Sequence, residues 1–191
     1  MTVFGVILAG GEGRRMGGAD KAMLQLDGQA LVDIAAARLG PQVARLAISA
    51  NGDAGRFAPR ALPVLPDGTP MGPLSGVLSA LLWAAPLGAG AVVSMPVDAP
   101  FCPSDLVARL SAPGGAAFAM TDAGAHPACA LWPVSLCKTL QDFLASGASP
   151  RVRDALTQMG ATAVEFPHEA DFANFNTPAD LAGAQSAKAR A

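Results

Sequence analysis

The feature of this sequence that most constrains its fold is an apolar run followed at once by a glycine-rich, cationic loop. Val3 to Leu8 contains no charged residue and predicts a buried strand. Glycine residues let backbone N–H groups face an anion, and Arg and Lys neutralise phosphate charge. The loop therefore predicts a site for a phosphate-bearing ligand, in the first instance a nucleotide. Its glycines are Gly10, Gly11, Gly13, Gly17 and Gly18, and its cations are Arg14, Arg15 and Lys21.

The loop departs from two common phosphate-binding sequences. Gly13 to Gly18 has the spacing of a P-loop, but Ala19 and Asp20 stand where Lys and Ser or Thr are required. The dinucleotide fingerprint would begin at Gly11, but Met16 replaces its third glycine. A glycine-rich surface turn with incidental charges is the remaining alternative. The preceding strand and the three cations favour a functional loop.

Composition limits the class of protein. The 191 residues are 51% hydrophobic and 15% charged, which predicts a single domain over residues 1–191 with a sizeable core. The net charge of −2 argues against nucleic acid or an anionic membrane as a partner. The three cysteines lack C-x-x-C spacing, so we expect reduced thiols and a cytoplasmic protein rather than disulfides or a zinc site. Glu12, early in the chain, argues against a secretory signal.

The segment 68–97 is free of charge and long enough to raise the question of a membrane span. Pro86, Gly88 and Gly90 divide it, so we predict a buried helix over Leu74–Ala85 and a buried strand over Ala91–Val97 instead.

Apolar runs alternate with helix-like segments along most of the chain. This alternation predicts a Rossmann-like α/β fold with three layers, α/β/α, around a mainly parallel central sheet. The predicted strands are 3–8, 44–50, 61–65, 91–97, 116–121, 127–132 and 161–166. The predicted helices are 29–39, 74–85, 103–110, 136–145 and 152–159, with a last helix that Thr177 would cap.

Four of the predicted strands end at residues suited to ligand binding. Leu8 leads into the glycine loop, and Asn51, Asp67 and Asp98 follow later strands. Asn and Asp are common turn residues, so each alone carries little weight. Because ligands bind at the carboxyl ends of parallel strands, the four together predict one site. Asp98, flanked by Pro96 and Pro100, is the best candidate for a Mg²⁺ ligand.

The motifs resemble those of nucleotidyltransferases with a GT-A-like fold, and most closely those of the MobA-type molybdenum cofactor guanylyltransferases. The resemblance covers almost the whole chain, with Ser75 a mild departure from the usual Ala. It rests on Leu8-Ala9-Gly10-Gly11 with Arg15, Met16, Gly17, Asp20 and Lys21, on Gly72–Gly76 (G-P-L-x-G), on Met95–Phe101 (P-x-D-x-P-[FY]), on His126-Pro127 and on Phe172–Pro178 (F-x-N-x-N-T-P).

The resemblance implies a reaction and a set of roles. The expected reaction transfers GMP from GTP to the terminal phosphate of Mo-molybdopterin, with Mg²⁺ as cofactor, forming molybdopterin guanine dinucleotide and pyrophosphate. The N-terminal half would bind nucleotide and Mg²⁺, and the C-terminal half molybdopterin. The implied GTP contacts are Leu8, Ala9, Gly10, Gly11, Lys21, Asn51, Asp67 and Asp98. The implied catalytic residues are Arg15, Lys21 and Asp98, with Asp98 the metal ligand, and the implied molybdopterin contacts are His126, Asn174 and Asn176.

Two alternatives stay open at this point. A related nucleotidyltransferase would use CTP or a sugar phosphate, although Gly10 argues against cytidylyl transfer because that group has L-A-A-G. A non-catalytic molybdopterin carrier would not need Arg15, Lys21 and Asp98 together. A transient contact with other molybdenum cofactor proteins or with acceptor apoenzymes is also expected. Cys102, close to Asp98 in sequence, is either a reactive thiol or, by preference, a small buried residue.

Overall fold

A seven-stranded sheet forms the centre of the protein in a computed structural model that describes residues 1–10, 20–67, 72–147, 151–175 and 180. The strands of the described ranges are β1 (Val3–Leu8), β2 (Gln25–Leu26), β3 (Gln29–Ala30), β4 (Leu46–Ser49), β5 (Val64–Leu65), β6 (Ala91–Pro96), β7 (Ala117–Thr121), β8 (Gly124–Pro133) and β9 (Thr162–Glu165). The helices are α1 (Leu31–Leu39), α2 (Pro73–Ala84), α3 (Leu106–Ser111), α4 (Cys137–Ala145) and α5 (Val152–Gln158).

The strand order in the main sheet is β5-β4-β1-β6-β8-β7-β9. Strands β5, β4, β1 and β6 run parallel to one another, and β9 runs parallel to β7. Strand β8 is antiparallel to both β6 and β7. The prediction of a mainly parallel sheet is confirmed, and β8 is the strand that reverses the direction.

Helices cover both faces of the sheet and create two hydrophobic cores. Helices α1 and α3 pack with Ile7 and Met95 on one face. Helices α2, α4 and α5 pack with Val6 and Trp132 on the other face. Successive residues of a strand point to opposite faces, so a strand buried on both sides is apolar throughout, as β1 is. The predicted three-layer α/β/α architecture is confirmed.

Two predicted helices begin later than expected. Gln29 and Ala30 pair with β2 in a hairpin, and α1 starts at Leu31. The turn between β2 and β3 is Asp27-Gly28, with φ of 53° and 77°, the pair of positive values that a tight hairpin turn requires. The third helix starts at Leu106 rather than Pro103, because Asp105, at φ −110° and ψ 12°, is not helical.

The uncharged segment 68–97 contains α2, which has 12 residues, and then strand β6. Among the residues that the structure describes, no helix is long and apolar enough to cross a membrane. The predicted helix and strand in this segment are confirmed, while the last predicted helix, from Thr177, lies outside the described residues apart from Asp180.

Candidate functional site

A cavity of about 290 Å³ lies where β1 and β6 end. Backbone hydrogen bonds continue the strand pairing just past these ends, with Ala9 N donating to Ser49 O at 2.8 Å and Val97 N donating to Leu8 O at 3.1 Å. Six of the predicted site residues line this one cavity, together with Pro73, Pro96, Val97 and Ala128. They are Leu8, Ala9, Gly10, Lys21, Asp98 and Asn174.

Lys21 and Asp98 form an ion pair in this cavity, with 3.0 Å between Lys21 Nζ and Asp98 Oδ2. Asp20 explains how the lysine is presented, because its Oδ1 accepts a hydrogen bond from Ala22 N at 3.0 Å and caps the turn that begins at Lys21. Arg56 Nε lies 2.6 Å from Asp20 Oδ2 and fixes that cap to the neighbouring loop. Asp20 and Arg56 therefore hold the turn that positions the Lys21 ammonium group in the cavity.

The backbone around Asp98 connects the two halves of the chain. Ala99 N donates to Pro96 O at 3.2 Å, which turns the chain around Asp98. Phe175 N donates to Asp98 O at 2.8 Å. The rings of Phe175 and Phe101 pack edge to face, with 5.7 Å between their centroids. This contact places Asn174 at the wall of the cavity that contains Asp98.

Asp67 is fixed by three hydrogen bonds at the ends of β4 and β5. Ser49 Oγ donates to Asp67 Oδ1 at 2.6 Å, and Asn51 Nδ2 donates to Asp67 Oδ2 at 3.2 Å. Asp67 N donates back to Asn51 Oδ1 at 3.0 Å. A Cβ atom built on Gly10 would lie 3.0 Å from Asp67 Oδ2, so the carboxylate borders the first glycine of the loop. Both ends of the Asn51 amide thus engage Asp67.

His126 lies at the same edge of the sheet, near the start of β8, with its side chain 15% exposed. Its Nε2 is 3.0 Å from Glu169 Oε2 and 3.1 Å from Thr121 Oγ1. Thr121 Oγ1 also donates to Glu169, and this hydrogen bond is the main cause that lowers the pKa of the Glu169 carboxyl below its ordinary value. The His126 ring stacks on Phe172 at 4.6 Å between centroids.

Three predicted site residues, Gly11, Arg15 and Asn176, lie outside the described residues. Cys102 is buried in the core that α1 and α3 form with the sheet. It also lines a second cavity of about 590 Å³. Burial raises the pKa of Cys102 to about 12, so its thiol stays protonated at neutral pH. The preferred prediction of a small buried residue is confirmed.

Sequence reasoning missed two groups of residues at this edge. Ser49 is the last residue of β4 and precedes Asn51 by two positions, so its closeness in sequence to a predicted site residue was a usable signal. Thr121 and Glu169 gave no local signal, because they are 48 residues apart and meet only through the sheet.

Comparison with known proteins places these motifs in a family. The profile of the MobA-like NTP transferase domain matches residues 5–163. The chain belongs to this family. It is 56% identical to a molybdenum cofactor guanylyltransferase of Cereibacter sphaeroides, over 97% of each chain. It is 46% identical to one from Acidiphilium cryptum, over 96% of this chain and 94% of the relative.

Solved structures agree on the fold of this MobA-like NTP transferase. Molybdopterin-guanine dinucleotide biosynthesis protein A of Archaeoglobus fulgidus superposes with a TM-score of 0.74 at 21% identity, over the full length of both chains. The 4-diphosphocytidyl-2C-methyl-D-erythritol synthase of Anaerococcus prevotii gives 0.78 at 11% identity, over 99% of this chain and 96% of that one. Because proteins with different names fit equally well, the fold alone leaves the nucleotide undetermined.

Proposed function

We propose that this chain transfers GMP from GTP to the terminal phosphate of Mo-molybdopterin, releasing pyrophosphate and forming molybdopterin guanine dinucleotide. The observation that carries the proposal is the cavity at the ends of β1 and β6, where Lys21, Asp98 and Asn174 meet the start of the glycine loop. The guanylyltransferase relatives, aligned over nearly the whole chain, support the choice of reaction.

The bond changes of this reaction need little acid–base chemistry from the protein. An oxygen of the molybdopterin phosphate bonds to the α-phosphorus of GTP. The bond from that phosphorus to the pyrophosphate oxygen breaks, and pyrophosphate leaves with the electron pair. Since a phosphate nucleophile is already ionised, the rate depends on positioning the two substrates and on neutralising their charge.

Lys21 and Asp98 have complementary tasks in this scheme. Lys21 would leave its 3.0 Å pairing with Asp98 and bind the departing phosphates. Leu8, Ala9 and Gly10 line the approach to the same cavity and would contact the nucleotide. We assign Gly11 and Arg15 to the phosphates as well, from the sequence motif alone.

The residues present fit Mg²⁺ bound jointly by the protein and its substrate. Asp98 places a carboxylate in the cavity wall, and Mg²⁺ commonly takes one or two carboxylates and completes its shell with water and phosphate oxygens. In keeping with that mode, the described part of the chain has no cluster of three or more His, Cys, Asp or Glu residues that would form a metal cage. When bound to Asp98, Mg²⁺ supplies charge neutralisation at the α-phosphate and the leaving pyrophosphate.

We assign base recognition to Asp67 and acceptor recognition to Asn174. The Asp67 carboxylate can accept hydrogen bonds from the ring N–H and the exocyclic amine of guanine. Asn174 lines the cavity on the side of the C-terminal segment, where the molybdopterin phosphate would approach Asp98. We also assign Asn176 to molybdopterin from the sequence motif.

Calorimetry with GTP, CTP, ATP and UTP in the presence of Mg²⁺ tests the nucleotide, and pyrophosphate release in the presence of Mo-molybdopterin tests the reaction. We expect tight binding of GTP alone, loss of that preference in Asp67→Ala, and pyrophosphate release only when both substrates are present. A preference for CTP would replace the proposal with cytidylyl transfer. Molybdopterin binding without pyrophosphate release would replace it with a carrier role.

A further inference from the structure

Ser49 is a buried polar residue in contact with the side chain assigned to the base. It is the last residue of β4 and only 1% exposed. A buried hydroxyl requires a hydrogen-bond partner, and Ser49 Oγ has one in Asp67 Oδ1 at 2.6 Å. The distance lies within the ordinary range of an O–H···O hydrogen bond. Ser49 thus contacts the carboxylate that we assign to the base, and does so from inside the protein.

Gly76 explains why this hydroxyl has room. It lies within α2, where glycine is unfavourable unless packing requires it. A Cβ atom at position 76 would lie 2.4 Å from Ser49 Oγ and 3.0 Å from Leu8 Cδ2. The absence of a side chain at the last glycine of the G-P-L-x-G motif therefore allows α2 to close over Ser49.

The hydrogen bonds to Asp67 determine which of its lone pairs remain for a ligand. A carboxylate offers about four acceptor sites, and here Ser49 uses one on Oδ1 while Asn51 uses one on Oδ2. Counting only the hydrogen bonds of the described residues, one further site remains on each oxygen. A carboxylate that offers one site on each oxygen can accept from the two adjacent donors on the Watson–Crick edge of guanine. If the Ser49 bond were lost, the carboxylate could rotate and the matched pair of acceptors would be disordered.

We propose that Ser49 is a specificity-determining positioning residue, which acts through Asp67, and that Gly76 makes the space it needs. The inference rests on the proposed function, since it takes Asp67 as the group that binds guanine. It assigns the discrimination of guanine to a unit of Ser49, Gly76 and Asp67, in which only Asp67 contacts the base.

The test compares GTP with ITP, whose base lacks the exocyclic amine, by calorimetry on the full chain with Mg²⁺. In Ser49→Ala we expect GTP affinity to fall about tenfold and the preference for GTP over ITP to shrink toward one, because only the paired acceptors distinguish them. In the double variant Ser49→Ala with Asp67→Ala we expect no loss beyond that of Asp67→Ala alone, since Ser49 acts only through Asp67.

Two further variants separate this role from simple packing. Ser49→Cys keeps the volume with a weak donor and should lose the preference as Ser49→Ala does. Ser94→Ala is the control, because Ser94 is 0% exposed, donates to Ala128 O and accepts from Trp132 Nε1. Its hydrogen bonds among the described residues do not include Asp67. We expect it to lower stability and leave the GTP-to-ITP ratio unchanged.

The outcomes distinguish the inference from the proposed function. If the unmodified protein binds GTP no better than other nucleoside triphosphates, the proposed function fails. If it prefers GTP and both Ser49 variants keep the full GTP-to-ITP ratio, the proposed function stands and the inference about Ser49 is wrong. Additive losses in the double variant would likewise overturn it.

Discussion

Asp67 and Glu169 are carboxylates at the same edge of one sheet, held in different ways. Asp67 belongs to the side that we propose binds the base (the base side: Ser49, Asn51 and Asp67), where a buried hydroxyl and an amide donate to it from the end of the adjacent parallel strand. Glu169 belongs to the side that we propose binds the acceptor (the acceptor side: Thr121, His126, Glu169 and Phe172). It is 51% exposed there, and its partners Thr121 and His126 are more than 40 residues away in the sequence.

The difference indicates what each side does. A carboxylate oriented from the interior keeps its acceptors in place before the ligand arrives, which suits discrimination between similar bases. A half-exposed carboxylate competes with water for its partners, so its contacts contribute less on their own, which suits a segment that admits a larger substrate. The comparison therefore predicts rigid selection of the nucleotide and adjustable binding of the acceptor.

The largest expected effect comes from the carboxylate between the two sides. Asp98→Ala should lower the rate of pyrophosphate release by at least about a thousandfold, because charge on the transferred phosphate loses its stabilisation. The preference for GTP over ATP should persist, since the base side is untouched. Asp122→Ala, an exposed carboxylate in the β7–β8 turn, is the matched control. Near-normal turnover in Asp98→Ala would rule out the assignment of Asp98.

A smaller effect is expected on the acceptor side. His126→Ala should raise the KM for Mo-molybdopterin about fivefold and leave GTP affinity unchanged, because it loosens the segment that carries Asn174. Steady-state kinetics with each substrate varied in turn measures this split. His168→Ala, an exposed histidine, serves as the control. An equal change in GTP affinity would contradict the separation of the two sides.

Glu169→Gln sharpens the same comparison. If His126 acts by positioning, this variant should raise the acceptor KM as His126→Ala does, whereas a direct contact between His126 and molybdopterin would leave the KM unchanged in Glu169→Gln. The variant thus decides between the predicted ligand contact and a supporting role for His126.

The pH dependence of stability should follow the Glu169 carboxyl. Its pKa is lowered in the folded protein, chiefly by the hydrogen bond from Thr121. A lowered folded-state pKa adds stability above the ordinary pKa of 4.5, and this contribution is lost as the pH falls through the folded value. Urea unfolding should show a small advantage over Glu169→Gln near neutral pH that disappears in acid. An advantage that grows in acid would contradict the sign.

The smallest effect is expected from alkylation of the thiols. Cys102 and Cys129 are buried, and burial raises the pKa of both. Iodoacetamide on the native protein should therefore label the partly exposed Cys137 first, with activity retained on both sides of the site. Mass spectrometry of the labelled protein identifies the order. Early labelling of Cys102 with loss of GTP binding would contradict it.

The sequence predicted the parallel half of the sheet well because each of its strands is specified by a short apolar run of neighbouring residues. Apolar runs without charge, such as 3–8 and 91–97, specify strands buried on both faces, and their carboxyl ends carry the candidate residues. The same reasoning selected Asp67 and Asp98, because each stands two residues after the last residue of a strand. Their roles stay predictions. This reasoning overlooked the short hairpin at Asp27-Gly28, although an Asp-Gly pair is a strong hairpin signal.

The remaining features depend on contacts between distant segments. No local pattern indicates that β8 would insert between β6 and β7, or that Glu169 would bind Thr121 and His126. The sequence motif shows a glycine at position 76. The need for glycine there, which is the close approach of α2 to Ser49 of β4, is visible only in the packed structure. Contacts of this kind are decided by tertiary structure rather than by spacing.

The position of β8 also has a consequence for how the chain assembles. Strand β7 is made before β8 but lies outside it, so both strands of the β7–β8 hairpin have to be made before the sheet can extend beyond β6 in its final order. During synthesis the first four parallel strands of the sheet can pair while this hairpin is still absent. We expect newly made chains to acquire the base side early and the contact between Phe175 and Asp98 last. A ribosome-bound intermediate would then present β6 as an edge strand with unpaired backbone N–H and C=O groups until β8 is made.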